Sequence, residues 1–259
     1  MPMPESVALA TLVRDVDLLC LDAGNTVAFL DHARLARIAA QHGFVTTAEA
    51  LVRAEGETKV ALEEKRELHV TWSRAHVQAS RGWAAVVATT LHVAGLPLDR
   101  LPAMLDAVWP EHAARNLWSL VPDGLVDALT AVRATGVRVA IVSNSEGQLE
   151  PLLVDLGLRG ALDLVIDSGI VGVEKPDPRI FRIALDRFAV PPERALHLGD
   201  VYATDVLGAR AAGVRVALVD PYGHLDGRHP DVPRVPGARE VARVLLRARQ
   251  GRTDGAKRG

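Results

Sequence analysis

The sequence predicts an α/β protein, an open parallel sheet with helices on both sides, interrupted by a helical insertion. Short apolar runs of strand length recur at 17–21, 137–142, 162–166, 195–198 and 214–219, and their apolar character is continuous, as in strands covered on both faces. From 124 onward, helical patterns separate these runs. Between 32 and 116 the helical pattern continues without a convincing strand.

The elements follow in order. Leu18-Leu19-Cys20-Leu21 leads straight into Asp22-Ala23-Gly24-Asn25-Thr26, a turn that opens on a carboxylate. The insertion comes next, with turn signals at Gly43, Gly82 and Gly95-Leu96-Pro97-Leu98. A helix over 124–135 places Leu125, Ala128, Leu129 and Val132 on one face and stops at Gly136. The second run ends in Ser143-Asn144, and Lys175 follows the third in Gly-Val-Glu-Lys-Pro-Asp-Pro. Helices over 179–188 and 204–212 flank the fourth run, which ends in Gly199-Asp200 with Asp205 beyond. The expected organisation is a core of 1–31 with 117–249, a helical domain of 32–116, and a frayed tail at 250–259.

At 259 residues and 49% hydrophobic, the chain is long enough for a core domain plus a smaller one. A net charge of -2 with 24% charged residues argues against a broad nucleic-acid or acidic-membrane surface, so a small ligand is expected. The single cysteine, Cys20, excludes an intrachain disulfide or a cysteine metal cage and fits a reducing cytoplasm. No apolar run approaches the ~20 residues of a membrane span, and the N-terminus reads as unexported. A monomer or homodimer is expected.

Ligands of open α/β sheets bind beyond the carboxyl ends of the strands, which is where the polar residues of this chain gather. Asp22 has the chemistry of a carboxylate nucleophile that divides phosphate-ester hydrolysis into two easier steps. The hydroxyls of Ser143 and Thr26, with backbone N–H groups of the turn at Gly24, can hold the oxygens of a transferred group. Lys175 can offset the charge of nucleophile and substrate together. Asp22, Asp200 and Asp205 offer the hard oxygen ligands that suit Mg²⁺. Each residue alone has a plainer explanation: a turn residue, a helix start, a solvated lysine, carboxylates worth ~0.3–1 kcal/mol at a helix N-terminus. Four such coincidences in order at four strand ends are what speak for a site.

These stretches resemble the haloacid dehalogenase superfamily, which consists mainly of phosphatases. The matching pieces are D-A-G-N-T at 22–26, I-V-S-N at 141–144, V-E-K-P-D-P at 173–178 and L-G-D-V-Y-A-T-D at 198–205, in the family's order. The resemblance implies a Rossmann-like three-layer core with a parallel sheet, and a small all-helical cap, 32–116, inserted after the first motif. It implies Asp22 as nucleophile, Ser143 and Asn144 on the phosphoryl group beside the loop of Gly24, Asn25 and Thr26, Lys175 as orienting cation, and Asp200 and Asp205 serving Mg²⁺.

The family's phosphatases usually carry a second aspartate two residues after the nucleophile, as general acid and base. Gly24 stands there and can do neither. Three readings stay open. One is a metal-dependent phosphatase of small phosphorylated metabolites that favours good leaving groups or borrows an acid such as His69, His76 or His92. Another is carbon–phosphorus cleavage like that of phosphonoacetaldehyde hydrolases, with Lys59 or Lys65 forming a Schiff base. The last is a catalytically weak module that binds a phosphorylated metabolite. In the insertion, Trp72, Trp83 and Trp109 read as helix-packing residues, and Arg53, Arg66, Arg74 and Arg81 as candidates for a second anionic group.

Overall fold

The computed structural model describes residues 5–72, 80–145 and 147–256, so His76 and Arg74 lie outside the described residues, as does the side chain of Arg81. The strands are β1 (Leu18–Leu21), β2 (Phe29–Leu30), β3 (Trp118–Leu120), β4 (Arg138–Ser143), β5 (Leu164–Asp167), β6 (Ala195–Gly199), β7 (Arg215–Val219) and β8 (Arg234–Val235). The α-helices are α1 (Glu5–Leu12), α2 (His32–Gln41), α3 (Ala48–Glu63), α4 (Ser80–Val93), α5 (Leu101–Ala114), α6 (Leu125–Ala134), α7 (Leu149–Asp155), α8 (Ser168–Val171), α9 (Arg179–Phe188), α10 (Leu207–Ala211) and α11 (Ala238–Ala256).

The chain divides into a sheet unit (1–28, 121–221, 227–259) and a helical unit (29–120, 222–226). In the sheet unit six strands run parallel in the order β5-β4-β1-β6-β7-β8. β1, β4 and β6 are buried on both faces apart from Arg138 at the start of β4, which is why they read as continuous apolar runs. From β1 the chain builds outward through β4 to β5, then returns to the other side of β1 for β6, β7 and β8. That reversal creates a switch point at the carboxyl end of β1. With the right hand usual for parallel crossovers, this strand order puts α6 and α7 on one face and α9 and α10 on the other. Close packing on the second face depends on Gly208, since a methyl group there would lie 3.0 Å from both Phe181 and the Pro176 backbone.

The helical unit has its own core, in which Leu35, Leu51, Leu91, Leu101, Leu105 and Val108 pack with Trp72 and Trp83. The buried guanidinium of Arg34 donates to the carbonyls of Arg115 (2.6 Å) and Glu111 (2.5 Å), capping the end of α5. The three expected packing tryptophans do pack together: Trp83 lies 5.6 Å from Trp72 and 5.1 Å from Trp109 between ring centroids, and His112 and Trp118 extend the cluster.

Four expectations change. The helical unit extends a few residues beyond 32–116 at each end, because the departing and returning chain pair there as the antiparallel ribbon β2–β3. The segment 222–226 groups with the helical unit although its flanks belong to the sheet unit. Residues 250–256 are helical rather than a frayed tail: α11 is anchored by buried Val241, Ala242 and Leu245, and extending a helix costs far less than starting one. The helix expected over 204–212 begins as a π-helical turn, Tyr202–Val206, before α10.

Candidate active site

The site is assembled within the sheet unit, around the switch point. Register alone brings its parts to one level, since Leu21 pairs with both Ile141 and Leu198. The Asp22 N–H donates to the Leu198 carbonyl (2.8 Å), carrying the ladder one residue past β1. The chain then turns tightly. The N–H groups of Val27 (3.1 Å) and Ala28 (3.0 Å) both donate to the Ala23 carbonyl, and Gly24 bridges to Ala28. Asn25 takes the left-handed conformation (φ 50°), which its short amide side chain tolerates, and its N–H is spent on the Ala28 carbonyl (2.8 Å). The Asn25 amide expected for substrate oxygens is therefore already occupied. Thr26, by contrast, buries a hydroxyl with no hydrogen-bond partner among the described residues, a donor suited to an incoming oxygen.

Lys175 is the centre of the charge arrangement. Its Nζ, 3% exposed as a residue, lies 2.6 Å from Asp22 Oδ1 and 2.6 Å from Asp205 Oδ1. Burial alone would lower its pKa, but the charges of Asp205 and Asp22 reverse this and hold the ammonium well above the usual lysine range. Asp205 shows the converse. Burial opposes its ionisation, yet Lys175 and a hydrogen bond from His197 keep it well below the usual carboxylate range. Asp22 is raised, because burial and the neighbouring charges of Asp205 and Asp200 outweigh the pull of Lys175. One ammonium thus meets two carboxylates directly, and the charge of Asp200 acts on Asp22 beside them.

Two of the expected residues are engaged within the protein. Asn144 was expected on the phosphoryl group, but its Nδ2 donates to the Lys175 carbonyl (2.9 Å) and its Oδ1 accepts from the Lys175 N–H (2.7 Å). A side-chain amide matches the two facing backbone groups, so Asn144 fixes the Lys175 loop. Asp205 was expected on the metal with Asp22 and Asp200, but its Oδ2 accepts from the Val201 N–H (3.0 Å) and its Oδ1 from Lys175 and His197. Both oxygens of Asp205 are thus engaged by donors of the protein itself. The carboxylate folds back over Gly199, where a methyl group would sit 2.2 Å from Asp205 Cγ. Asp200 (5% exposed) and Ser143 (4%) lie buried at the ends of β6 and β4.

Sequence reasoning missed three contributors. Asp167 accepts from the N–H groups of Gly147 (3.0 Å) and Leu149 (3.1 Å), and Ser168 exchanges two 3.0 Å bonds with the Ser145 backbone, so the end of β5 pins the loop after Ser143. His197 stands fully buried within β6, its Nε2 2.9 Å from Asp205 Oδ1. The signal was a lone imidazole inside the apolar run at 195–198. In the helical unit, Lys59 is buried on α3, one turn after Glu55, which is itself hydrogen-bonded to His32 (3.1 Å). Lys65 is exposed, in a left-handed conformation (φ 53°).

An open parallel sheet with a carboxylate, a bridging lysine and a further carboxylate at its switch point suits a hydrolase-type site. A model of the haloacid dehalogenase-like hydrolases matches residues 16–213, and the chain belongs to that family. It is 32% identical over 209 residues to human haloacid dehalogenase-like hydrolase domain-containing protein 3, covering 79% of this chain and 82% of that protein. The mouse protein of the same name is 38% identical over 154 residues, 59% of this chain and 61% of that protein. The phosphoserine phosphatase of Thermus thermophilus is 36% identical over 213 residues, 75% of this chain and 81% of that protein. Among solved structures, the HAD-hydrolase YfnB of Bacillus subtilis shares the fold, with a TM-score of 0.59 at 19% identity over 89% of this chain and 98% of that one. A 2-haloacid dehalogenase of Pseudomonas syringae also shares it, with a TM-score of 0.52 at 23% identity over 90% and 99%. The chain is a hydrolase of this family with phosphatase relatives. Among the described residues no helix is long and apolar enough to cross a membrane.

Proposed function

We propose that the chain is a divalent-metal-dependent phosphatase of small phosphorylated metabolites in the cytoplasm, working through an aspartyl-phosphate on Asp22. The observation that carries this reading is the Lys175 ammonium, buried and 2.6 Å from both Asp22 and Asp205. Such a lysine favours the ionised form of a buried carboxylate against its burial and aims it, as a nucleophile requires. Thr26 and Ser143 would receive phosphoryl oxygens, and Asn144 would act at one remove by fixing Lys175. The 2-haloacid dehalogenases share the fold, so the fold does not choose between carbon–halogen and phosphate chemistry. The phosphatase relatives and the surplus of carboxylates favour phosphate.

That surplus also fits Mg²⁺. Asp22 and Asp205 on Lys175, with Asp200 near Asp22, gather hard oxygen donors, and YfnB was solved bound to magnesium. Asp22 and Asp200 would hold the ion, with Asp205 turned to Lys175. When bound, the metal would neutralise the charge between nucleophile and phosphate and polarise a phosphoryl oxygen. Gly24 leaves the alcohol to depart without a proton from this loop. The helical unit would serve as the cap that selects substrates.

The test is Mg²⁺-dependent phosphate release from an aryl phosphate by the full chain, with Asp22→Asn as control. Activity in the wild type that is lost in Asp22→Asn is expected. No activity above the control, accompanied by phosphate-ester binding in a calorimeter, would make the chain a binding module. A borohydride-trapped adduct on Lys59 with phosphonoacetaldehyde would turn the reading to carbon–phosphorus cleavage.

A further inference from the structure

We propose that His197 is a positioning residue of this site: its imidazole holds the Asp205 carboxylate, and through it Lys175, against Asp22. The inference rests on the reading of Asp22 and Lys175 given above.

His197 sits in mid-sheet, paired in register with Cys20 of β1 and Val216 of β7, at 0% exposure. Its neighbours in the strand, Leu196 and Leu198, are apolar and fully buried, as is Phe181, whose ring meets the imidazole edge-on at 4.9 Å. For packing alone a leucine would serve better there, because a buried polar group without a partner is costly. One ring nitrogen, Nδ1, does lack a hydrogen-bond partner among the described residues. The polarity of this side chain is therefore directed at a single atom, Asp205 Oδ1, 2.9 Å from Nε2.

The geometry also assigns the tautomer. An ionised carboxylate only accepts, so Nε2 carries the hydrogen that points to Asp205 Oδ1. Asp205 is then held by donors from three segments: Lys175 from the loop before α9, His197 from β6, and the Val201 N–H from the turn after it. Gly199 lets the carboxylate lie against the backbone beneath. Without His197, Oδ1 keeps only the flexible lysine. The carboxylate can then rotate, and Nζ loses the second anchor that sets its direction toward Asp22.

Two substitutions separate positioning from packing. His197→Leu fills the space without a donor, whereas His197→Gln offers an amide N–H near the place of Nε2. With an aryl phosphate and Mg²⁺, His197→Leu is expected to lower kcat ~10- to 100-fold, the usual effect of losing a second-layer partner, with KM within about twofold. His197→Gln should recover most of that loss. The melting temperature of His197→Leu should equal or exceed that of the wild type, since a polar nitrogen leaves the core. Independently of activity, nitrogen NMR of the full chain should show the Nε2–H tautomer and a displaced Nε2–H signal in Asp205→Asn. Wild-type kcat in His197→Leu, equal kcat losses in both variants with lowered melting temperatures, or a hydrogen on Nδ1 alone would each overturn the proposal. If the wild type hydrolyses nothing, the phosphatase reading fails, while the nitrogen spectrum still decides whether His197 holds Asp205.

Discussion

On the proposed phosphatase reading, Gly24 limits what the site can do at the level of single residues. The loop that carries it is closed by its neighbours, with Asn25 rather than Gly24 in the left-handed conformation, so a side chain at 24 meets no conformational penalty of that kind. Gly24→Asp should therefore supply the missing proton donor. General acid–base help is worth roughly 10²–10⁴-fold, and it matters most for poor leaving groups. Hydrolysis of alkyl phosphates should rise about 10-fold or more, and that of aryl phosphates by less. An equal gain on both, or a loss confined to alkyl esters, measured as kcat/KM, would refute the account of Gly24 as an absent acid. Asp22, Lys175, Asp200 and Asp205 were legible because strand ends and residue chemistry point the same way. The division of labour was not. Whether a carboxylate faces a metal or a lysine, and whether an asparagine faces a ligand or a backbone, depends on distances that spacing along the chain does not encode. Asp205 and Asn144 took their roles from Lys175, which lies 30 and 31 residues away.

At the level of elements, the parallel strands were readable for the reason that makes them stable, burial on both faces. The ribbon β2–β3 and the two-residue β8 were not, being too short to carry a pattern. His197 shows the same limit from inside a strand, since periodicity identifies β6 but is silent on one imidazole's partner. The helix α5 carries a further consequence. His112 packs between Trp83 and Trp118 and accepts the Leu117 N–H at its Nδ1 (3.2 Å). Burial, reinforced by the Arg34 charge, pushes its pKa down to about 4. An imidazole in the unfolded chain titrates near 6.5, so the buried neutral ring contributes stability above that pH, and this is lost as pH falls from about 6.5 to about 4. The loss is on the order of 3 kcal/mol, and breaking the Leu117 bond accompanies it. Followed by tryptophan emission, the denaturation midpoint should drop between pH 7 and pH 4.5 more in the wild type than in His112→Phe. Parallel pH profiles would show that His112 is not the responsible group.

At the level of the whole molecule, the two units carry separate reporters. All four tryptophans of the chain, Trp72, Trp83, Trp109 and Trp118, belong to the helical unit, whereas the carboxylates that fit Mg²⁺ belong to the sheet unit. Emission therefore reads the helical unit, and calorimetry reads the sum. Without the ion, the charges of Asp200 and Asp205 press on Asp22, and folding works against that repulsion. A cation that binds only the folded site stabilises it by mass action, ~2.7 kcal/mol at a hundredfold excess over its dissociation constant. Mg²⁺ should accordingly raise the calorimetric midpoint of the wild-type chain, and a chelator should reverse the rise. Asp200→Asn keeps the Lys175–Asp22–Asp205 contacts but removes one hard anionic ligand, so its midpoint should respond little to Mg²⁺. The tryptophan midpoint of the same samples supplies the internal reference for the helical unit. An undiminished shift in Asp200→Asn would place the cation elsewhere in the molecule and count against the proposed metal site.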